Sequence, residues 1–154
     1  MPADHVVQPW AIRSTLIAVA DLDRSVAFYD ELGPFDVLAR QDGVAMLGGV
    51  SPSSPVLILR ETRSLHLTRH GQQSLGLRSM TFNVGSIGEL DRVESILRSH
   101  ERFTDRRHIN EGASTLVRGR DPDNLPLVFA FYATDTIGAD YYRTIINLVY
   151  SMDA

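Results

Sequence analysis

The stretch Val19-Ala20-Asp21-Leu22-Asp23-Arg24-Ser25-Val26-Ala27-Phe28-Tyr29-Asp30-Glu31-Leu32-Gly33 decides the fold of this chain. It opens at the end of an alternating, β-branched run, Ile12 to Ala20, which reads as a strand. Asp21 or Asp23 can then cap a helix, because a short acidic side chain accepts a hydrogen bond from a backbone N–H that the first turn leaves unpaired. Val26, Phe28, Tyr29 and Leu32 place an apolar stripe on that helix at its own period, and Gly33-Pro34 ends it. A strand running straight into a helix with one apolar stripe is half of a layered unit, since the stripe must lie on a sheet.

Three short strands follow, Phe35 to Arg40, Val44 to Gly49 and Pro55 to Glu61, with Gln41-Asp42-Gly43 and Ser51 to Ser54 as turns. After a polar joint from Thr62 to Ser74 the same order restarts: a strand from Leu77 to Val84, a helix from Ile87 to Ser99, and strands at Phe103 to Ile109, Ala113 to Arg118 and Leu125 to Tyr132. The chain is therefore a βαβββ unit written twice, with the copies offset by roughly 65 to 71 residues. Residues 1–154 are expected to form a single domain, with module one over about 12–61 and module two over about 77–132. Beyond the repeat, Tyr141, Tyr142, Ile145, Ile146 and Val149 fall at helical spacing, so a C-terminal helix is expected over about 136–150. The two-module core has no place for it; its apolar face can close the cavity mouth, pack on the outside of a sheet or meet its copy in a dimer, and the last two are expected. Trp10 is expected at an edge or on a neighbouring subunit.

Composition excludes several classes of function. With 154 residues, 44% hydrophobic and 22% charged, the chain fills one ordinary core and has too many apolar residues for a disordered segment. No run is long and apolar enough to span a bilayer, and Met1 to Gln8 lacks the basic start and apolar run of a signal peptide, so a cytoplasmic location is expected. The absence of cysteine removes disulfides, thiolate nucleophiles and sulfur-ligated metals. All 15 basic residues are arginine, which removes Schiff-base chemistry and a P-loop lysine as well. A formal net charge of -4 and a pI of about 5.7 argue against nucleic acid as a partner. The one basic cluster, Arg102, Arg106 and Arg107, is diluted by Glu101, Asp105 and Glu111 and reads as a solvated edge strand or loop. No Gly-rich phosphate loop and no Ser-His-Asp order is present.

The repeated unit, the quoted helix passage and Asp121-Pro122-Asp123-Asn124-Leu125-Pro126 together resemble the vicinal oxygen chelate superfamily, which includes glyoxalase I, extradiol dioxygenases and bleomycin-resistance proteins. The resemblance covers roughly Ile12 to Tyr132. It implies an α+β fold in which two βαβββ modules form a cupped, mostly antiparallel eight-stranded sheet around a cavity, with the helices on the outer face. In the metal-using members, ligands come from the first and last strands of each module. Counted from Asp21, Phe82, Pro126 and Pro55, those positions are Ser14, Ser79, Val128 and Leu57. A divalent cation takes imidazole or carboxylate in such a site, so no bound metal is expected.

Period-two alternation then assigns the lining. Ser14, Leu16 and Ala18 face the cavity from one strand and Ser79, Thr81 and Asn83 from its counterpart. Leu57, Leu59 and Glu61 form one wall, and Val128, Ala130 and Tyr132 the other. The expected ligand-binding set is Ser14, Leu16, Leu57, Leu59, Ser79, Thr81, Arg118 and Val128, an apolar lining with scattered hydroxyls that suits an uncharged or aromatic ligand. Arg118 shares parity with Arg120 and can hold a carboxylate or phosphate, or pair with Asp121 or Asp123. Glu61 and His108 are the candidate acid–base residues. His66 and His70 stand four apart, the spacing of a two-histidine metal site, but lack the internal glutamate of a zinc-protease motif.

Three functions are compatible with this reading. The first is metal-free binding of a small apolar or aromatic compound, as the resemblance to bleomycin-resistance proteins implies. The second is a divalent-metal lyase, isomerase or extradiol-type dioxygenase using iron, manganese, nickel or zinc. The third is a cofactor-free acid/base enzyme built on Glu61 or His108. The expected partners are a small-molecule ligand and a second copy of the chain in a homodimer, with no nucleic acid and no membrane.

Overall fold

Asp21 caps the first helix as its chemistry requires, its carboxylate accepting the Arg24 backbone N–H at 3.0 Å in the computed structural model of the chain. The structure describes residues 12, 14–49, 55–62, 77, 79–109 and 114–132. Ten elements follow in the order β1 (Ser14–Val19), α1 (Leu22–Leu32), β2 (Asp36–Gln41), β3 (Val44–Gly48), β4 (Val56–Glu61), β5 (Met80–Asn83), α2 (Ile87–Ser99), β6 (Phe103–Ile109), β7 (Ser114–Arg120) and β8 (Pro126–Tyr132). This is the βαβββ order expected, twice. Both helices end and begin where the caps place them, Ser86 capping α2 by accepting the Glu89 N–H at 3.1 Å. The strand expected from Leu77 begins only at Met80, because ladder pairing to β8 covers Met80 to Asn83. The C-terminal helix expected over 136–150, Trp10, and the His66/His70 pair lie outside the described residues.

The strands form two four-stranded sheets, β1-β4-β3-β2 and β5-β8-β7-β6. In each, the first strand runs parallel to the last of its module and the remaining pairs are antiparallel. A parallel pair cannot be closed by a tight turn, so α1 and α2 act as the crossovers and are laid on one face of their own sheets.

Register decides which side chains meet those helices, because residues paired across a ladder share a face. Ile17, Leu57 with Leu47, and Leu59 with Ala45 turn toward α1, and all are buried. Val117, Leu127 and Phe129 turn toward α2. Together with Val26, Tyr29 and Leu32 of α1 and Leu90, Val93 and Leu97 of α2 they make one buried cluster shared by both modules. Gly119 is required where β7 passes under α2, since a Cβ there would stand 2.7 Å from the Arg102 carbonyl oxygen and 2.8 Å from the Leu97 side chain.

Polar contacts lock the modules to each other. Arg92 of α2 donates to the Leu32 carbonyl at 2.7 Å and the Glu31 carbonyl at 3.2 Å at the end of α1. His100 meets the Glu31 carboxylate at 2.7 Å. From the other side, the turn between β7 and β8 reaches α1: the Tyr29 hydroxyl donates to Asp121 Oδ2 at 2.9 Å, and Asp123 accepts from Arg24 and from the Ala20 N–H, each at 3.2 Å.

Candidate functional site

The face of each sheet turned away from its helix is the one from which the expected cup would be built, and is called the cup face. In the first sheet the ladder pairs Ser14 with Val56, Leu16 with Ile58 and Ala18 with Arg60, and continues to Gly48, Met46 and Val44 on β3. This surface is open: Leu16 is 60% exposed, and Val44, Met46, Val56 and Ile58 are half-buried. In the second sheet the corresponding pairs are Thr81 with Val128 and Asn83 with Ala130, continuing to Arg118 and Leu116 on β7. Thr81 and Asn83 are exposed, whereas Val128, Ala130 and Leu116 are fully buried. Ser79 lies one residue before the β5 ladder and is half-buried.

The structure corrects one wall of the expected cavity. Leu57, Leu59 and Glu61 pair with Thr15, Ile17 and Val19, so they stand on the helix side and not in the cup. The cause is a slip of one residue. Pro55 and Pro126 look equivalent in the sequence, but Val56 is the residue level with Ser14 on β4, in the place that Pro126 holds on β8 beside Ser79. Counting from Pro55 therefore turns every side chain to the opposite face. Ser14, Leu16, Thr81 and Val128 stand on the face expected of them.

Neither expected acid–base residue reaches the cup. Glu61 Oε2 accepts the Leu22 N–H at 3.0 Å, so its carboxylate supports the first turn of α1 beside the Asp21 cap, where unpaired N–H groups and the helix dipole favour a negative charge. With Leu22, Asp23, Arg40 and Asp42 it lines a polar recess of about 360 Å³ on the helix side. His108 pairs with Thr115, and thus shares a face with Arg106 and Val117. It is exposed on strand β6, its Nδ1 3.1 Å from the Thr115 hydroxyl. Arg106 of the same face donates to Asp91 and Glu94 of α2, which confirms that this side of β6 is the helix side.

Corrected for the slip, the four positions at which the resemblance calls for metal ligands are Ser14, Ile58, Ser79 and Val128. Two hydroxyls and two hydrocarbon side chains do not fit a divalent cation. Among the described residues no group of three or more His, Asp or Glu side chains is arranged to hold one.

Arg118 is placed on the cup face of β7, as its ladder partner Val128 requires, and is 9% exposed. It binds Asp105 of β6 through two nitrogens, Nε at 2.6 Å to Oδ1 and Nη2 to Oδ2, and not the Asp121 or Asp123 expected from sequence. Arg107 donates to the same carboxylate at 2.9 Å. Nothing in the sequence pattern of Asp105 distinguished it, because the contact depends on the β6–β7 register. The two guanidinium groups, Arg118 foremost, hold the Asp105 carboxyl below its ordinary range against the opposing effect of burial. Its folded value lies below its unfolded one, so the pair stabilises the fold above the ordinary carboxylate range and is lost as pH falls through the folded value. Asp105→Asn is expected to lower stability at neutral pH and to flatten the stability slope below about pH 4, read by circular dichroism during acid titration.

Comparison with known proteins agrees with the fold. No protein-family model matches the chain, and no curated protein sequence matches it. Among solved structures, the fold is similar to a glyoxylase/bleomycin resistance protein/dioxygenase domain from Frankia sp. EAN1pec, with a TM-score of 0.68 and 25% identity over 81% of this chain and 99% of that one. It is similar to a lactoylglutathione lyase from Agrobacterium tumefaciens, with a TM-score of 0.59 and 21% identity over 80% and 95% of the two chains. A glyoxalase/bleomycin resistance protein/dioxygenase from Alicyclobacillus acidocaldarius gives a TM-score of 0.58 and 21% identity over 84% and 96%. The paired βαβββ modules, the capped helix passage and these structural neighbours show that the chain shares the fold of the glyoxalase/bleomycin resistance/dioxygenase proteins, the fold of the vicinal oxygen chelate superfamily.

Proposed function

We propose that the chain is a binding protein that takes a small apolar or aromatic ligand in its cup without a metal. The observation that supports this reading is the side-chain set Ser14, Ile58, Ser79 and Val128 at the positions where related folds are expected to carry ligands. The accessible seat is the first sheet, where Leu16, Ile58 and Met46 offer apolar surface. On the second wall the charge of Arg118 is paired with Asp105. In this reading the protein works in the cytoplasm as a homodimer. The exposed Leu38 and the unpaired outer edges of β1 and β5 among the described residues support association with a second copy.

The test pairs elemental analysis with a fluorescent aromatic probe. After incubation with iron, manganese, nickel and zinc, the purified protein is expected to retain no stoichiometric metal, while 8-anilinonaphthalene-1-sulfonate binds saturably. Ile58→Asp is expected to weaken that binding about tenfold or more, because it sets a charge in the apolar seat. One metal per chain would overturn the metal-free reading, and probe binding indifferent to Ile58→Asp would overturn the assignment to the cup. Light scattering on the same sample reads the dimer.

A further inference from the structure

A second pocket lies outside the cup, on the helix side, where the end of α1 meets the first half of α2. It has a volume of about 330 Å³ and is walled by Leu32, Phe35, Phe82, Val84, Val93 and Phe129, with Pro34, Pro55 and two glycines completing it. Phe82 and Phe129 stack at 5.4 Å between centroids, and Phe35 stands edge-on to Phe82 at 6.0 Å. Among the described residues that line it, Glu89 carries the one charged side chain, and the side chain of Asn83 turns to the cup face. The Glu89 carboxylate is fixed in position by Arg92, whose Nη2 donates to Oε1 at 2.6 Å and whose Nε lies 3.2 Å from both oxygens. Arg92 is itself held by the α1 carbonyls, so the carboxylate at the rim is preorganised by contacts that join the two modules.

From this geometry we infer that the junction pocket binds a neutral, two-ring aromatic molecule that presents an N–H or O–H to Glu89. Size sets the first part of the inference. An apolar cavity of about 150 Å³ accepts a benzene ring, so this pocket has room for two fused rings. The flat faces and edges of three phenylalanines match such a ring system in stacked and edge-on geometry. Charge sets the second part. Oε2 of Glu89 receives one long hydrogen bond from Arg92, and an ionised carboxylate has acceptor capacity beyond it. The charge of Glu89 is already paired with Arg92, so a neutral donor suits its remaining acceptor capacity in a setting that is otherwise apolar.

Indole and 1-methylindole are the probes, used with the full-length protein in calorimetry, since they share their ring system and differ in the N–H. Indole is expected to bind with one site per chain, about tenfold more tightly than 1-methylindole. Val84→Phe, which fills the pocket, is expected to abolish the site that discriminates the two probes, and Ile58→Asp in the cup to leave that site unchanged. Glu89→Ala is expected to bring the two probes within about twofold of each other, and it keeps the test decisive if Val84→Phe does not fold. Absence of saturable indole binding overturns the inference, as does equal affinity for both probes in the unaltered protein. Loss of binding in Ile58→Asp assigns indole to the cup and overturns it too, while leaving the proposed cup function standing.

Discussion

Asp121→Ala is expected to destabilise the protein by about 3–5 kcal/mol. The Asp121 carboxylate is fully buried and organises three donors: Oδ1 accepts the backbone N–H groups of Asp123 at 2.9 Å and Leu125 at 2.8 Å, and Oδ2 accepts the Tyr29 hydroxyl. Alanine leaves all three buried without that partner, each at a cost of about 1–3 kcal/mol, partly relieved by relaxation. The turn and α1 would loosen together, because the same turn carries the Arg24–Asp123 contact. For a chain of this size the loss is expected to lower the thermal midpoint by roughly 10 °C or more. Tyr29→Phe removes one of the three bonds and is expected to cost about 1.5–3 kcal/mol. Burial, and then the charge of Asp121, hold the Tyr29 hydroxyl far above its ordinary pKa, so it stays a donor throughout the working range.

The same carboxyl carries a pH signature. Burial raises the Asp121 pKa against the opposing hydrogen bonds from Leu125 and Tyr29. A carboxyl whose folded value exceeds its unfolded one binds its proton more tightly in the folded state. Its contribution is therefore present below the ordinary carboxylate value and lost as pH rises through the folded value. This is opposite in sign to Asp105, and Asp121→Asn is expected to remove that falling limb while Asp105→Asn removes the rising one. Urea midpoints measured across the acidic range separate the two.

Leu59→Ala is expected to cost about 2–5 kcal/mol, whereas Leu16→Ala, on the neighbouring strand, is expected to cost less than about 0.5 kcal/mol. Leu59 is fully buried under α1 beside Ile17 and Ala45, so its truncation leaves a cavity that the packed sheet and helix cannot close. Leu16 belongs to the open cup and has little packing to lose. The contrast measures the register of β4 directly, since the reading taken from Pro55 puts both leucines on one cavity wall. Equal costs would return Leu59 to the cup, and denaturant unfolding of the two variants decides it.

That pair of leucines also marks where the sequence stops being informative. The helix caps, the stripe of Val26, Phe28, Tyr29 and Leu32, and the turn at Gly43 are local features, and α2 was legible from Ile87 to Ser99 without error at either end. Each depends on residues within a few positions of one another, so the chain alone determines the elements, their order and the doubled βαβββ plan. Ser14, Leu16, Thr81 and Val128 were also placed on the correct face, because alternation within a strand is a local rule.

What only the tertiary structure decided is how strands distant in sequence line up. The Ser14–Val56 pairing fixes the face of β4, and no local signal distinguishes it from a pairing through Pro55, although one residue reverses the whole strand. The same dependence took Glu61 to the α1 terminus, carried His108 to the helix side and delivered Asp105 to Arg118. The junction pocket is decided at this level as well, since its walls come from both modules and exist only once the helices are packed. Local chemistry therefore set the parts of this protein, and the long-range pairing free energy of the two sheets set which of their side chains meet a ligand.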